Sequence, residues 1–318
     1  MAEFDWIERY FAPLATRTGA AGLTDDAAEV SGKASIVTVD ALVEGVHFLP
    51  DDPMDTVARK LVRVNVSDLI AKGARPDEAL LTLGWPSGRE EAELAAFARA
   101  FGEELEAWGI ALIGGDTVAS PAGVFLSLTL TGVPATERAP IRRSGAQIGD
   151  VIWLTGDEIG ASFLGLRDRL AGTSSEATVI YQVPVIPELE MADMIAAHAN
   201  ASMDVSDGLV ADLQKLLAAS RCGATLELAG VRIHCPDIGE DKLLSEVLDA
   251  CTGGDDYQCL FTAPPSKTPL IEASKPYAYI VGRVEQGPGL RLTWYDKPVP
   301  LPEKAGFEHT LSLSLIHI

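Results

Sequence analysis

The 318-residue sequence contains no G-x-x-x-x-G-K-[ST] loop and no H-R-D or D-F-G segment. That excludes the P-loop and protein-kinase ways of cradling a nucleotide phosphate. Positive charge is scarce, with 25 basic residues against 46 acidic ones and a net charge of -21. Nonspecific attraction to nucleic acid or to an anionic membrane surface is therefore disfavoured. The four cysteines, Cys222, Cys235, Cys251 and Cys259, form no C-x-x-C pair and have no histidine-rich segment beside them. With no basic, apolar leader ahead of them, they lead to the expectation of a reduced, cytoplasmic setting. No uninterrupted apolar run approaches the ~18 residues needed to span a bilayer. Low-complexity segments and short repeats are missing too.

Acidic residues set among glycines and apolar residues are what the chain does have. GGD at positions 114–116 and MDVSDGL at 203–209, with Asp25, Asp26, Asp40 and Asp68, hold more anionic oxygen than one site tolerates without cations. A magnesium site for a polyphosphate is the first expectation, because Mg2+ bridges a few carboxylates to substrate phosphates. Asp204 and Asp207, three apart at a helix entry, can turn toward one site. Ser206 and the amides of that N-terminus would then meet phosphate oxygens. Taken alone, a D-x-x-D is as readily a helix cap with a solvated acidic turn.

A chain of this length, 47% hydrophobic, is expected to form two domains. Residues 1–18 read as an amphipathic helix bearing Phe4, Ile7, Phe11 and Leu14. Residues 35–48 open as a strand that reaches Asp40 near its end. Residues 56–73 are helical, with Arg59, Lys60, Arg63 and Ser67 on the outer side and Asp68 inside the apolar arc, where an unpaired carboxylate is costly. A second helix covers 90–108, and ALIGGD runs from a short strand into a glycine turn. Residues 124–133 alternate, Leu126, Leu128 and Leu130 to one side and Ser127, Thr129 and Thr131 to the other. A boundary follows in 134–149, where Arg142 and Arg143 either clamp phosphate or solubilise a linker. Beyond it, helices from Gly160 and Asp207 and strands at ATLELA, QCLFTA and AYIVGRV give an α+β pattern without regular βαβ alternation. His47 is a candidate substrate contact or a structural histidine, and Asp255 and Asp256 form either a plain turn or a substrate contact.

Taken in order, TDDAA, TVDALVEGVHF, VNVSDLIAKGA, IGGDT, RRSGAQIGD, MDVSDGLVADL, GGDDYQCLF and GFEH resemble the thiamine-monophosphate kinases over residues 4–310. The resemblance implies an α+β, two-domain fold like that of the aminoimidazole ribonucleotide synthetases, with mixed and antiparallel sheets flanked by helices. It implies an ATP- and Mg-binding, dimerising domain over 1–135, a linker over 136–149 and a C-terminal α+β domain over 150–310. Residues 311–318, which include the adapter-like LSLIHI, are expected to be non-native. Asp26, Asp40, Asp68, Asp116, Asp204 and Asp207 would bind Mg2+, with Thr38 and Val39 beside the metal through side chain or backbone. Gly115, Asp116, Arg143 and Ser206 would contact ATP, the co-substrate. His47, Asp255 and Phe307 would contact thiamine monophosphate, Phe307 by stacking. No side chain is expected to act as a catalytic base. A homodimer through the N-terminal domain is implied as well.

Three positions depart from the family pattern: Thr24 for Gly, Val39 for Thr, and Asp255 for Glu. Other readings are a purine-pathway synthetase of the same superfamily, or a noncatalytic nucleotide- or Mg-binding paralogue. Relatives that use an N-terminal or C-terminal cysteine are disfavoured, since no cysteine precedes Cys222 or follows Cys259.

Overall fold

Period-two alternation builds the first layer. A computed structural model of the chain describes residues 7–17, 32–234, 244–274 and 277–307. Strands β1 (Ile36–Val43), β2 (Ala74–Pro86), β3 (Ala111–Ser120) and β4 (Phe125–Pro134) form a sheet of order β1-β4-β2-β3. All its pairs are antiparallel except β2 with β3. Leu126, Leu128 and Leu130 are fully buried, and in β1 they face Leu42, Asp40 and Thr38. The alternation read from the sequence is found, and each buried leucine contributes about 1.5–3 kcal/mol.

Helices α1 (Met54–Ala71) and α2 (Glu91–Trp108) cover this leucine face. α2 opens on a capping box between Glu90 and Glu93 and ends at Gly109 in the left-handed conformation. The second sheet has seven strands in the order β11-β10-β7-β9-β5-β8-β6. These are β5 (Val151–Thr155), β6 (Ala201–Asp204), β7 (Gly223–Glu227), β8 (Cys259–Ala263), β9 (Ala278–Glu285), β10 (Gly289–Trp294) and β11 (Lys297–Val299). Only β7 and β10 run parallel. Helices α3 (Ala161–Leu170), α4 (Glu176–Gln182), α5 (Glu190–His198), α6 (Leu209–Ser220), α7 (Leu244–Gly253) and α8 (Thr268–Ala273) complete it. The α+β class and the mixed sheets are as expected.

One apolar core joins the two sheets, because Val57 and Leu61 of α1 share it with Trp153, Met191, Ile195 and Phe261. α1 touches β1, β2 and β4 on one side and β6, β8 and α5 on the other. This corrects the outer side assigned to α1: Lys60 and Ser67 are buried. Its periodicity reports one apolar arc, whereas the second cover comes from residues more than a hundred positions away. Arg59 and Arg63, half-buried, reach Glu104 of α2.

Other elements differ in detail. Asp40 lies inside β1 rather than at its end. Gly114, Gly115 and Asp116 continue β3 instead of forming a turn, after a register shift that passes over Ile113. A Cβ at Gly115 would sit 2.0 Å from the Leu81 carbonyl oxygen, so this glycine is required by the bulge. β2 had no strand assignment, since Pro76, Asp77 and Glu78 interrupt its apolar pattern; a second bulge follows Pro76. Within the expected N-terminal helix, the described residues form turns at Ile7–Phe11 and Ala12–Leu14, the second carrying Pro13. Phe4, Thr24, Asp25, Asp26, Cys235 and the 311–318 tail lie outside the described residues.

Candidate active site

The two sheets meet at a cavity of about 550 Å3. Its wall includes Asp40 of β1, Asp68 of α1, Asp204 at the end of β6 and Asp207 in the following turn. Arg143, Ser206, His47, Asp255 and Phe307 line it as well. Nine residues that the sequence placed at a site are thus brought together from segments spread over most of the chain.

The carboxylates feel one another across this space. Burial, then the charges of Asp68 and Asp207, push Asp40 up to about 7. Burial and the neighbouring Asp68 push Asp204 well above the usual carboxylate range, opposed by a hydrogen bond from Ser67. The Ser67 hydroxyl donates to Asp204 Oδ2 at 2.7 Å, and the Thr38 hydroxyl donates to Asp68 Oδ2. Asn65, fully buried, accepts the Asp40 amide at 2.9 Å. Among the described residues, no three acidic, imidazole or thiol groups close into a compact metal-ligand set. What stands here is an open fence of oxygen donors.

The loop after β6 is built differently from its expected form. α6 begins at Leu209, not Asp207, and the amides of Ser206 and Asp207 both donate to Asp212 Oδ2, at 3.0 and 2.9 Å. Those two amides are capped from within the chain, so they do not offer a bare phosphate nest. Lys215 bridges Asp207 and Asp212. Ser206 meets the cavity, and its carbonyl accepts the Asp255 amide at 2.8 Å. Gly254 lets this approach occur: its φ is +74°, and a Cβ there would lie 2.7 Å from the Ser206 oxygen.

At the other end of the cavity, His47 Nδ1 accepts the Val43 amide at 3.0 Å. The neutral ring therefore carries its proton on Nε2 and is a donor. Asp255 receives hydrogen bonds on both oxygens, from the Tyr257 hydroxyl at 2.6 Å and from Lys60. Phe307 is 42% exposed and its amide donates to the Asp207 carbonyl, which places the ring beside the acidic turn.

Residues 24–134 match the family described as AIR synthase related protein, N-terminal domain, and residues 147–295 match its C-terminal domain. The thiamine-monophosphate kinase of Caulobacter vibrioides is 33% identical, over 96% of this chain and 90% of that protein. The chain belongs to the thiamine-monophosphate kinase family. A crystal structure of thiamine-monophosphate kinase from Stenotrophomonas maltophilia K279a superposes with a TM-score of 0.78 at 32% identity, covering 92% of this chain and 96% of that one. AaThiL complexed with AMPPCP and TMP superposes at 0.74 and 30% identity, covering 86% of each chain.

Four positions drawn from the thiamine-monophosphate kinase resemblance stand away from the cavity. Asp116 is exposed and pairs with Thr82 on the sheet face opposite Asp40, while Gly115 pairs with Leu81. Val39 is 58% exposed on that same outer face, so its side chain points away from the carboxylates. Thr38 acts through Asp68. Arg142, exposed, offers its carbonyl to the Ser202 amide at 3.1 Å, and Arg143 alone of the pair lines the cavity.

Sequence reasoning missed the lysines. Lys60, Val64, Asp68 and Lys72 recur every four residues, a row on one side of α1 that the outward assignment hid. Lys72 Nζ donates to the Ser202 carbonyl at 2.5 Å, and burial, then Arg143, lower its pKa. The spacing was the available signal.

Proposed function

We propose that the chain transfers the γ-phosphoryl group of ATP to a phosphate oxygen of thiamine monophosphate, giving thiamine diphosphate and ADP, with Mg2+ as cofactor. The observation that carries this reading is the single cavity on which Asp40, Asp68, Asp204 and Asp207 meet His47, Asp255 and Phe307. Membership of the thiamine-monophosphate kinase family supports the choice of acceptor.

The donor set suits Mg2+ by its chemistry: all oxygen, mutually repelling, and too open to replace every water or phosphate ligand. Asp40, Asp68, Asp204 and Asp207 would hold it, joined by Asp26. Bound there, Mg2+ would supply positive charge to the polyphosphate oxygens. Arg143 adds a guanidinium at the same wall. The attacking phosphate oxygen is already anionic near neutral pH, so the chain needs no catalytic base. His47, with Nδ1 occupied, serves as a donor to the acceptor, and Phe307 offers its ring to a flat heterocycle. Catalysis then rests on positioning and charge.

Residues 1–135 would form the ATP- and Mg-binding part and 150–310 the C-terminal part, joined by 136–149. The outer face of the four-stranded sheet leaves Val37, Val39, Leu80, Val118 and Phe125 exposed, which supports a homodimer through this face. Asp116 would lie at that contact. A reduced, cytoplasmic location fits the buried thiols of Cys222 and Cys259.

The test is product formation by purified chain with ATP, Mg2+ and thiamine monophosphate, with free thiamine in parallel. Thiamine diphosphate and ADP in equal amounts, only from the monophosphate, are expected. Saturable ATP binding without transfer would replace the kinase by a noncatalytic paralogue.

A further inference from the structure

Lys60 is a lysine only 2% exposed in the middle of α1. A buried ammonium costs several kcal/mol unless neighbours replace its water. Here three segments do so. The Asp255 carboxylate pairs with Nζ, the His47 carbonyl accepts from it at 3.2 Å, and the Tyr181 ring centroid of α4 lies 4.6 Å away. Two of these partners, His47 and Asp255, are the residues assigned to the acceptor substrate.

Asp255 itself is held in an uncommon shape. Its φ is +65°, a region non-glycine residues seldom occupy. Its amide donates to Ser206, Tyr257 holds Oδ1 and Lys60 holds Oδ2, while the 30% of the side chain still exposed faces the cavity. An aspartate, one methylene shorter than a glutamate, has little reach of its own. Its position is set by what pulls on it.

We propose that Lys60 is a positioning residue for the acceptor substrate: by holding Asp255 and the His47 loop together, it fixes the carboxylate edge that meets thiamine monophosphate. The inference rests on the assignment of Asp255 as an acceptor contact. Lys60 meets no phosphate and takes no proton. A buried pair of this kind adds little net stability compared with an apolar pair of the same size, and its return is a fixed geometry.

Steady-state kinetics of Lys60→Met, Asp255→Asn and the double variant test it, with ATP and thiamine monophosphate varied separately. Lys60→Met is expected to raise KM for thiamine monophosphate about tenfold, with kcat and KM for ATP within about threefold of the parent. The double variant should be no worse than Asp255→Asn alone, because both changes remove one interaction. A folded Lys60→Met with unchanged KM for thiamine monophosphate overturns the proposal, as do effects that multiply in the double variant. Unchanged KM in Asp255→Asn would instead remove the underlying assignment of Asp255, a separate result. Should Lys60→Met fail to fold, Lys60→Gln keeps a donor and drops the charge; the same rise in KM is expected, and its absence overturns the role.

Discussion

The inner face of the four-stranded sheet carries Asp40 opposite Leu128 and lies against α1; the outer face carries Asp116 beside Thr82 and is left uncovered by the described residues. One step along a strand separates the two environments. On the inner side, burial and the neighbouring carboxylates push Asp40 and Asp204 above the usual carboxylate range. On the outer side, Val37 is 65% exposed, and Asp116 has water to solvate it. A single sheet thus offers a charged cavity wall and an apolar contact surface, and the pleat alone assigns each residue to one of them.

The inner carboxylates should give the largest effects. Asp68→Asn and Asp204→Asn are each expected to lower kcat by about 100- to 1000-fold at saturating ATP and thiamine monophosphate, the scale of losing one preorganised electrostatic contact in the transition state. Part of the loss should be recovered at high Mg2+ if these side chains position the cation. Full activity of either variant at limiting Mg2+ would remove the inner face from the mechanism. Packing should show the same asymmetry between adjacent residues. Leu128→Ala, at a fully buried site, is expected to cost about 2–5 kcal/mol in urea unfolding, against less than about 1 kcal/mol for Thr129→Ala. Equal costs would mean that the outer face is as well packed as the inner one.

The inner face was legible in the sequence because period two and the acidic motifs are local. β4 was read nearly to its ends, and the cavity holds nine of the residues named in advance. Lys60 and Ser67 were misplaced because α1 is covered twice, and no helical wheel reports a second sheet that arrives a hundred residues later. Asp116 was grouped with the other aspartates by chemistry, yet the bulge before it and its parity put it on the far face. β2 went unread because Pro76 and its acidic neighbours break the apolar pattern at one end of the strand. The amides at Ser206 were counted as ligands because nothing local marks Asp212, six residues on, as their acceptor; it is fully buried beneath them.

The outer face can be broken without touching the cavity. Val39→Lys places a charge among exposed apolar side chains, and if the proposed homodimer forms through this face it is expected to yield a monomer in sedimentation while changing unfolding free energy by about 0.5 kcal/mol or less. If Asp116 works from a contact between copies, activity falls with dimer content and returns at high protein concentration. A monomer with full activity would leave Asp116 without a part in the reaction.

A pH dependence is expected as well, and its sign follows from the inner face. Asp40 is pushed up to about 7 by burial, then by Asp68 and Asp207, from an ordinary value of about 4. Between those values the folded chain keeps a proton that the unfolded chain has released. Stability from this group is therefore fully present below pH about 4 and is lost as pH rises through about 7. In EDTA, the Tm of the parent should fall across that window more steeply than that of Asp40→Asn, whose amide does not titrate. Mg2+ favours the ionised form of every carboxylate it meets, so it should raise the parent's Tm more at pH about 7.5 than at pH about 5. Parallel Tm profiles for the two proteins in EDTA would show that Asp40 is solvated like Asp116, and the distinction between the two faces would then rest on packing alone.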